Sequence, residues 1–165
     1  MLLATLERYL EIFTTVAVVV RSQDGILATH LLDQLARNPP LIIPTNQAHL
    51  GLGHSIADGI RATATWDSVF IGLADMPFVQ RGSLHTLYYR MLKSRQAHQK
   101  RIIQPRFQGQ PGHPVGFSCE FFPELMALTG DQGARSVLRK HSECLEVVDL
   151  DDPGIVQDLD VPGGN

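Results

Sequence analysis

The chain has only two cysteines, Cys119 and Cys144, among 165 residues. Two cannot build a disulfide framework, so free thiols in the cytoplasm are the expectation. There is no block of Lys or Arg, and the net charge is −3, which argues against a nucleic-acid surface. The longest apolar runs are far too short to span a bilayer. The N-terminus, MLLATLERYLEIF, carries acidic residues and lacks the basic segment and cleavage pattern of a signal peptide. No repeat or low-complexity tract is present. The Gly-x-Ser-x-Gly elbow is missing, as are the Gly-Lys-Ser/Thr ending of a P-loop and the dinucleotide fingerprint, since Gly51-Leu52-Gly53 has no third glycine. His113, Cys119, His141 and Cys144 match no standard zinc spacing.

What is present is an ordinary globular composition, 44% hydrophobic and 19% charged. It suits one domain, residues 1–165, with a real core. The most informative stretch is SVFIGLADMPFV, residues 68–79. Val69 to Ala74 is an apolar run too short for a typical helix, rich in strand formers and closed by Pro77, so it predicts a buried strand. Burial on both faces suits a parallel sheet with helices above and below. In such sheets ligands bind beyond the carboxyl ends of the strands. Asp75 stands at such an end, where a carboxylate can hold Mg²⁺ against phosphates. It is equally readable as a helix cap or an Asx turn.

The rest alternates between helix and strand. Leu3, Leu6, Leu10 and Phe13 predict a helix over 2–13. TVAVVV predicts a strand over 15–20. Ile26 to Leu35 predict a helix ending near Arg37, before Asn38-Pro39-Pro40. Leu41 to Ile43 and Ile102-Ile103 read as short strands stopped by Pro44 and Pro105. A helix is expected over 81–98, and a hairpin projecting from the sheet over 106–117. Two short helices should follow, one closed by Gly130 and one opened by Asp131. A strand over 145–150 and a last extended piece over 155–160 complete the pattern. The alternation predicts α/β units with a parallel sheet.

Polar clusters fall at the expected element ends. Asn46, Gly51, Gly53, Ser55 and Gly59 form a glycine-rich helix entry that could approach an anion. Alone it is as well explained by a loop and cap. Gly109 to Pro114 is a turn with His113 as a candidate donor, or a plain β-turn. Gly130 to Arg135 reads equally as a pair of caps. Asp158 and Asp160, spaced by two, would share one face of a strand and could meet Asp75 at a divalent-metal site.

Taken together, these pieces resemble the MobA-like NTP transferases, especially the cytidylyltransferases of molybdenum cofactor. Asn46, Gly51, Ser55 and Gly59 match an Asn…Gly…Ser…Gly stretch of that family. LADMP at 73–77 matches its metal-binding strand end, and GQPGHPVGF at 109–117 looks like its Gly-x-x-Gly-x-Pro-Val segment. GDQGAR at 130–135 and DLDVPGG at 158–164 are similar to its later motifs. The resemblance implies a Rossmann-like, mostly parallel α/β sheet of the nucleotide-diphospho-sugar transferase type. It implies transfer of a nucleoside monophosphate from an NTP, CTP by preference, to a phosphorylated acceptor such as molybdopterin, with release of pyrophosphate. By the same resemblance, Asp75, Asp158 and Asp160 hold Mg²⁺, and Asn46, Gly51, Ser55 and Gly59 hold the nucleotide. Gly112, His113, Pro114, Gly130 and Asp131 then shape the acceptor side. A guanylyltransferase of the same family is the near alternative. A non-catalytic accessory protein that keeps the fold, or works with a partner enzyme or a second copy, is the distant one.

One departure stands out. The family opens with a strand and a Leu-Ala-Ala-Gly-x-Ser-x-Arg-Met-Gly loop followed by a Lys, which supply triphosphate contacts. This sequence starts at Met1-Leu2-Leu3, already past that Lys. The expectation is that Met1 is a misplaced start and that a central strand is missing from the sheet. Its two neighbours would then each lose a ladder partner.

Overall fold

The computed structural model describes residues 1–158. Six α-helices and seven strands are formed among the described residues. Helix α1 (Leu2–Leu10) leads through a turn to strand β1 (Ala17–Arg21). Helix α2 (Gly25–Gln34), strand β2 (Leu41–Thr45) and helix α3 (Leu52–Ala62) follow. Strand β3 (Ser68–Ile71) and the long helix α4 (Arg81–Gln96) form the middle of the chain. Strands β4 (Ile102–Phe107), β5 (Gln110–Pro111) and β6 (Val115–Ser118) come next. Helices α5 (Phe122–Met126) and α6 (Arg135–Lys140) precede β7 (Leu145–Asp149).

The strands form two sheets. β1 and β2 pair in parallel, Val18 opposite Ile42. The second sheet runs β3-β6-β4-β5, with β7 parallel to β4. β6 is antiparallel to both β3 and β4, so it lies inside the sheet, and only β5 forms the projecting hairpin. Among the described residues no ladder joins β1 to β3, so each has a single partner strand. The α/β class holds, with parallel and antiparallel pairs mixed.

The core is layered as strand alternation requires. Val69, Ile102 and Phe117 face Ile56, Ile60, Phe121, Phe122 and Leu125 on one side. Ile103 and Val148 face Leu87 and Met91 of α4 on the other, with Phe70 packed alongside. Helices therefore cover both faces of the second sheet. Gly116 is required there: a Cβ would lie 2.6 Å from the Phe70 ring and 3.0 Å from Met91. α1 and α2 pack on β1, Leu6 and Leu31 meeting Val18 and Val20.

Several expected boundaries moved. α1 stops at Leu10, although Ile12 and Phe13 still pack inward. β2 and β4 continue through Pro44 and Pro105. Pro44 is tolerated because β2 has a partner on one side only. The carbonyl of Pro105 points away from β7, to the Gly112 amide at 2.8 Å. Its missing N–H is therefore not subtracted from the β4–β7 ladder. α6 begins at Arg135 rather than Asp131, after a turn with Gly130 and Gly133 at positive φ. The last extended piece is instead a single helical turn at Pro153–Ile155, followed by irregular backbone to Asp158.

Candidate functional site at the exit of strand β3

β3 carries three apolar residues in succession, Val69 to Ile71, and then meets Gly72. The hydroxyl of Tyr9 presses against Gly72, where any Cβ would collide with it. Thr5 on the same helix donates its hydroxyl to the Ala74 carbonyl at 3.0 Å. α1 thus braces the strand exit immediately before Asp75. Burial pushes the Tyr9 phenol above its ordinary pKa.

Asp75 is half-buried, and its Oδ1 is shielded from solvent without a hydrogen-bond partner among the described residues. A helix cap or Asx turn would have given that oxygen an amide donor. A different carboxylate ties down the start of α4. Asp152, only 1% exposed, accepts from the Gln80 amide at 2.9 Å and the Ser83 hydroxyl at 2.6 Å. Its second oxygen accepts from the Gly154 amide at 2.9 Å. Gly154 lies so close to the Phe78 carbonyl that no side chain fits between them. The 152–156 segment therefore clamps the loop that follows Asp75.

The same segment holds the His113 turn. The His113 amide donates to the Ile155 carbonyl at 2.8 Å, and Gly112 abuts that carbonyl directly. Ile71 pairs with Val115 across β3 and β6. Because these strands are antiparallel, the end of β3 and the start of β6 coincide, bringing Asp75 and His113 to one edge of the sheet. His113 Nδ1 is also buried and unpartnered among the described residues. Burial lowers the pKa of the imidazole first. The Ile71 carbonyl that accepts from the ring raises it, the charge of Arg135 lowers it and that of Asp75 raises it.

The glycine clusters meet one another. Gly53 donates its amide to the Gly130 carbonyl at 2.7 Å. Gly51, at φ 115°, is in contact with Gly130 and with Asp131 Oδ1. A Cβ on Gly53 would stand 2.7 Å from the Thr129 carbonyl. The amides of Gly51 and His54 also bond within the chain, to Ala48 and Gly51. These glycines thus have a packing role at the entry of α3. Gly59 lets α3 approach β1, its Cβ position being 3.1 Å from Val19. Asn46 is exposed just past β2, and Ser55 is half-buried on α3. Pro114 is buried next to His113.

The 130–135 segment links the two groups. Its Asp131 end rests on Gly51, and its Arg135 end is felt at His113. Arg135 was in view in the sequence only as part of a glycine motif. Asp152 gave no local signal, because Gln80 and Ser83, which it accepts from, lie far away in sequence. Asp158 is exposed and lies outside any strand. Asp160 lies outside the described residues. Among the described residues no group of three or more His, Cys, Asp or Glu gathers as a metal cage. A shallow cavity of about 500 Å³ opens near Asp67, Arg95, His98 and Cys119. It sits at the opposite end of β3, and its Arg95–Asp67 ion pair is already made. Among the described residues no helix is long and apolar enough to cross a membrane.

Similarity to known proteins agrees with this architecture. The Rv0371c protein of Mycobacterium tuberculosis H37Rv, solved as a complex with manganese, superposes with a TM-score of 0.69 at 19% identity. The match covers 91% of this chain and 76% of that one. A nucleotidyl transferase from Methanothermobacter thermautotroptrophicus gives 0.66 at 16% identity, covering 96% and 73%. The purine catabolism protein PucB of Bacillus subtilis (strain 168) is 30% identical over 118 residues, 70% of this chain. The chain spans about half, 54%, of that relative's length. The model of the MobA-like NTP transferase domain matches residues 1–144, and the chain belongs to that family.

Proposed function

We propose that the protein is a nucleotidyltransferase that moves a nucleoside monophosphate from CTP to a phosphorylated pterin acceptor such as molybdopterin. An acceptor phosphate oxygen bonds to the α-phosphorus, the α–β anhydride bond breaks, and pyrophosphate leaves with the electron pair. The observation that carries this reading is the buried, unpartnered Oδ1 of Asp75 at the exit of β3. An acceptor-only oxygen left in this state fits a divalent cation, Mg²⁺ or a related ion. Such an ion supplies charge neutralisation on the triphosphate when bound. The manganese complex of the Rv0371c protein supports a divalent site in this fold. Around it, the clamp of 152–156 keeps Asp75 and the His113 turn in fixed relation, and Arg135 brings positive charge to the acceptor side. Asn46, Gly51, Ser55 and Gly59 are the nucleotide side of the proposal, and Gly112, His113, Pro114, Gly130 and Asp131 the acceptor side. Asp158 and Asp160 remain candidates for completing the ion's carboxylate set.

A second reading follows from the name of PucB, which ties that relative to purine catabolism. There the acceptor would belong to a purine-linked enzyme system. The test is Mg²⁺-dependent pyrophosphate release from CTP and from GTP, with and without a pterin phosphate. Release that needs CTP and the pterin supports the first reading, and a GTP preference supports a guanylyltransferase. No release with either nucleotide, despite a bound ion, supports an accessory role. Asp75→Asn should abolish release, and retained turnover would remove Asp75 from the metal role.

A further inference from the structure

Two buried polar atoms at the edge shared by β3 and β6 lack partners among the described residues, Asp75 Oδ1 and His113 Nδ1. Buried side-chain nitrogen and oxygen atoms are nearly always hydrogen-bonded, so two orphans at one edge call for a common occupant. Their chemistry differs in a useful way. A carboxylate oxygen is an acceptor in any ionised state. A neutral imidazole has one N–H and one lone pair. With its proton on Nε2, the buried, unpartnered Nδ1 offers that lone pair, and a neutral ring nitrogen is the form that ligates a metal. The backbone is fixed for such a role, since the His113 amide is tied to Ile155 and Gly112 is packed on the same carbonyl.

We infer that His113 Nδ1 is a second protein ligand to the divalent ion held by Asp75, and that it biases the site toward a transition-metal ion over Mg²⁺. The inference deepens the proposed function and rests on its placement of an ion at Asp75. The physical basis is donor hardness. Mg²⁺ demands oxygen ligands and keeps its waters, whereas an imidazole nitrogen suits Mn²⁺ and its heavier neighbours better.

The test is Mn²⁺ binding to the full chain without nucleotide, followed by electron paramagnetic resonance, with Mg²⁺ as competitor. His113→Gln should weaken Mn²⁺ binding by about tenfold while leaving the Mg²⁺ affinity within about twofold. Pulsed measurements on the unmodified protein should show nitrogen modulation from a directly bound imidazole, and His113→Gln should remove it. If His113→Gln fails to fold, the modulation on the unmodified protein decides alone. Absence of nitrogen modulation, or equal loss of both ions in a folded His113→Gln, would overturn the inference and leave Asp75 as a ligand. Asp75→Asn that still binds Mn²⁺ unchanged would instead sink the underlying placement of the ion.

Discussion

The carboxylate of Asp152 accepts the backbone amide of Gln80 at 2.9 Å across a sequence distance of 72 residues. With its bonds to Ser83 and Gly154, it is the fixed point on which the loop after Asp75 and the turn carrying His113 both depend. Asp152→Ala leaves the Gln80 amide, the Ser83 hydroxyl and the Gly154 amide without their acceptor. The expected cost is about 2–4 kcal/mol in a urea unfolding experiment, from the lost bonds and the donors left unpaired. A loss below about 0.5 kcal/mol, the usual range of surface substitutions, would contradict the clamp.

Glycine positions separate by what surrounds them. Gly53→Ala drives a methyl group into the Thr129 carbonyl, 2.7 Å away. It should cost about 1–3 kcal/mol by overpacking between α3 and the Gly130 turn. Gly82, near the start of α4, has nothing within 4 Å of its Cβ position. Gly82→Ala should therefore stabilise by about 0.5–1 kcal/mol through better helix propensity. Thermal melts of both variants check the pair, and the prediction fails if the order is reversed.

Tyr9 offers a test of the opposite sign. Its hydroxyl is buried without a partner among the described residues, against Gly72. An unsatisfied buried hydroxyl is a cost, so Tyr9→Phe should leave stability unchanged or raise it by up to about 1 kcal/mol. A drop greater than this would show that the hydroxyl makes a bond with water or a ligand.

Acid should weaken the fold through Glu124. Its hydrogen bond with Lys140 at 3.0 Å, and then that with His141 at 2.6 Å, hold its carboxyl below the ordinary value of 4.5. The unfolded chain therefore binds a proton first. The stability this contributes is fully present above pH 4.5 and is lost as pH falls through the lower folded value. Unfolding free energies measured from pH 6 down to about pH 3 should fall less steeply for Glu124→Gln than for the unmodified chain. Parallel curves would contradict the assignment.

Much of this arrangement is legible in the residue order. Val69, Phe70 and Ile71 announce a strand buried on both faces, and Pro77 announces its end, so Asp75 could be placed at a sheet edge before any coordinates. What local pattern could not show is which distant segments meet. Pro44 and Pro105 read as strand stops, yet each sits where its absent N–H leaves no strand pair broken. Gly51 and Gly53 read as a loop and cap that could approach an anion. Their close neighbour is the backbone of Gly130, a contact between residues nearly eighty positions apart. Nothing in the residue order ties Asp152 to Gln80 and Ser83, some seventy positions earlier. The aspartates near the C-terminus were matched by a period-two rule that applies only to a strand, and no strand forms at Asp158.

The most direct measurement is anomalous scattering from crystals of the protein soaked with Mn²⁺ and CTP. The account predicts a manganese peak in bonding contact with Asp75 Oδ1, beside the imidazole of His113, with the triphosphate against it. A well-occupied peak elsewhere, with the Asp75 carboxylate turned into packing, would contradict it.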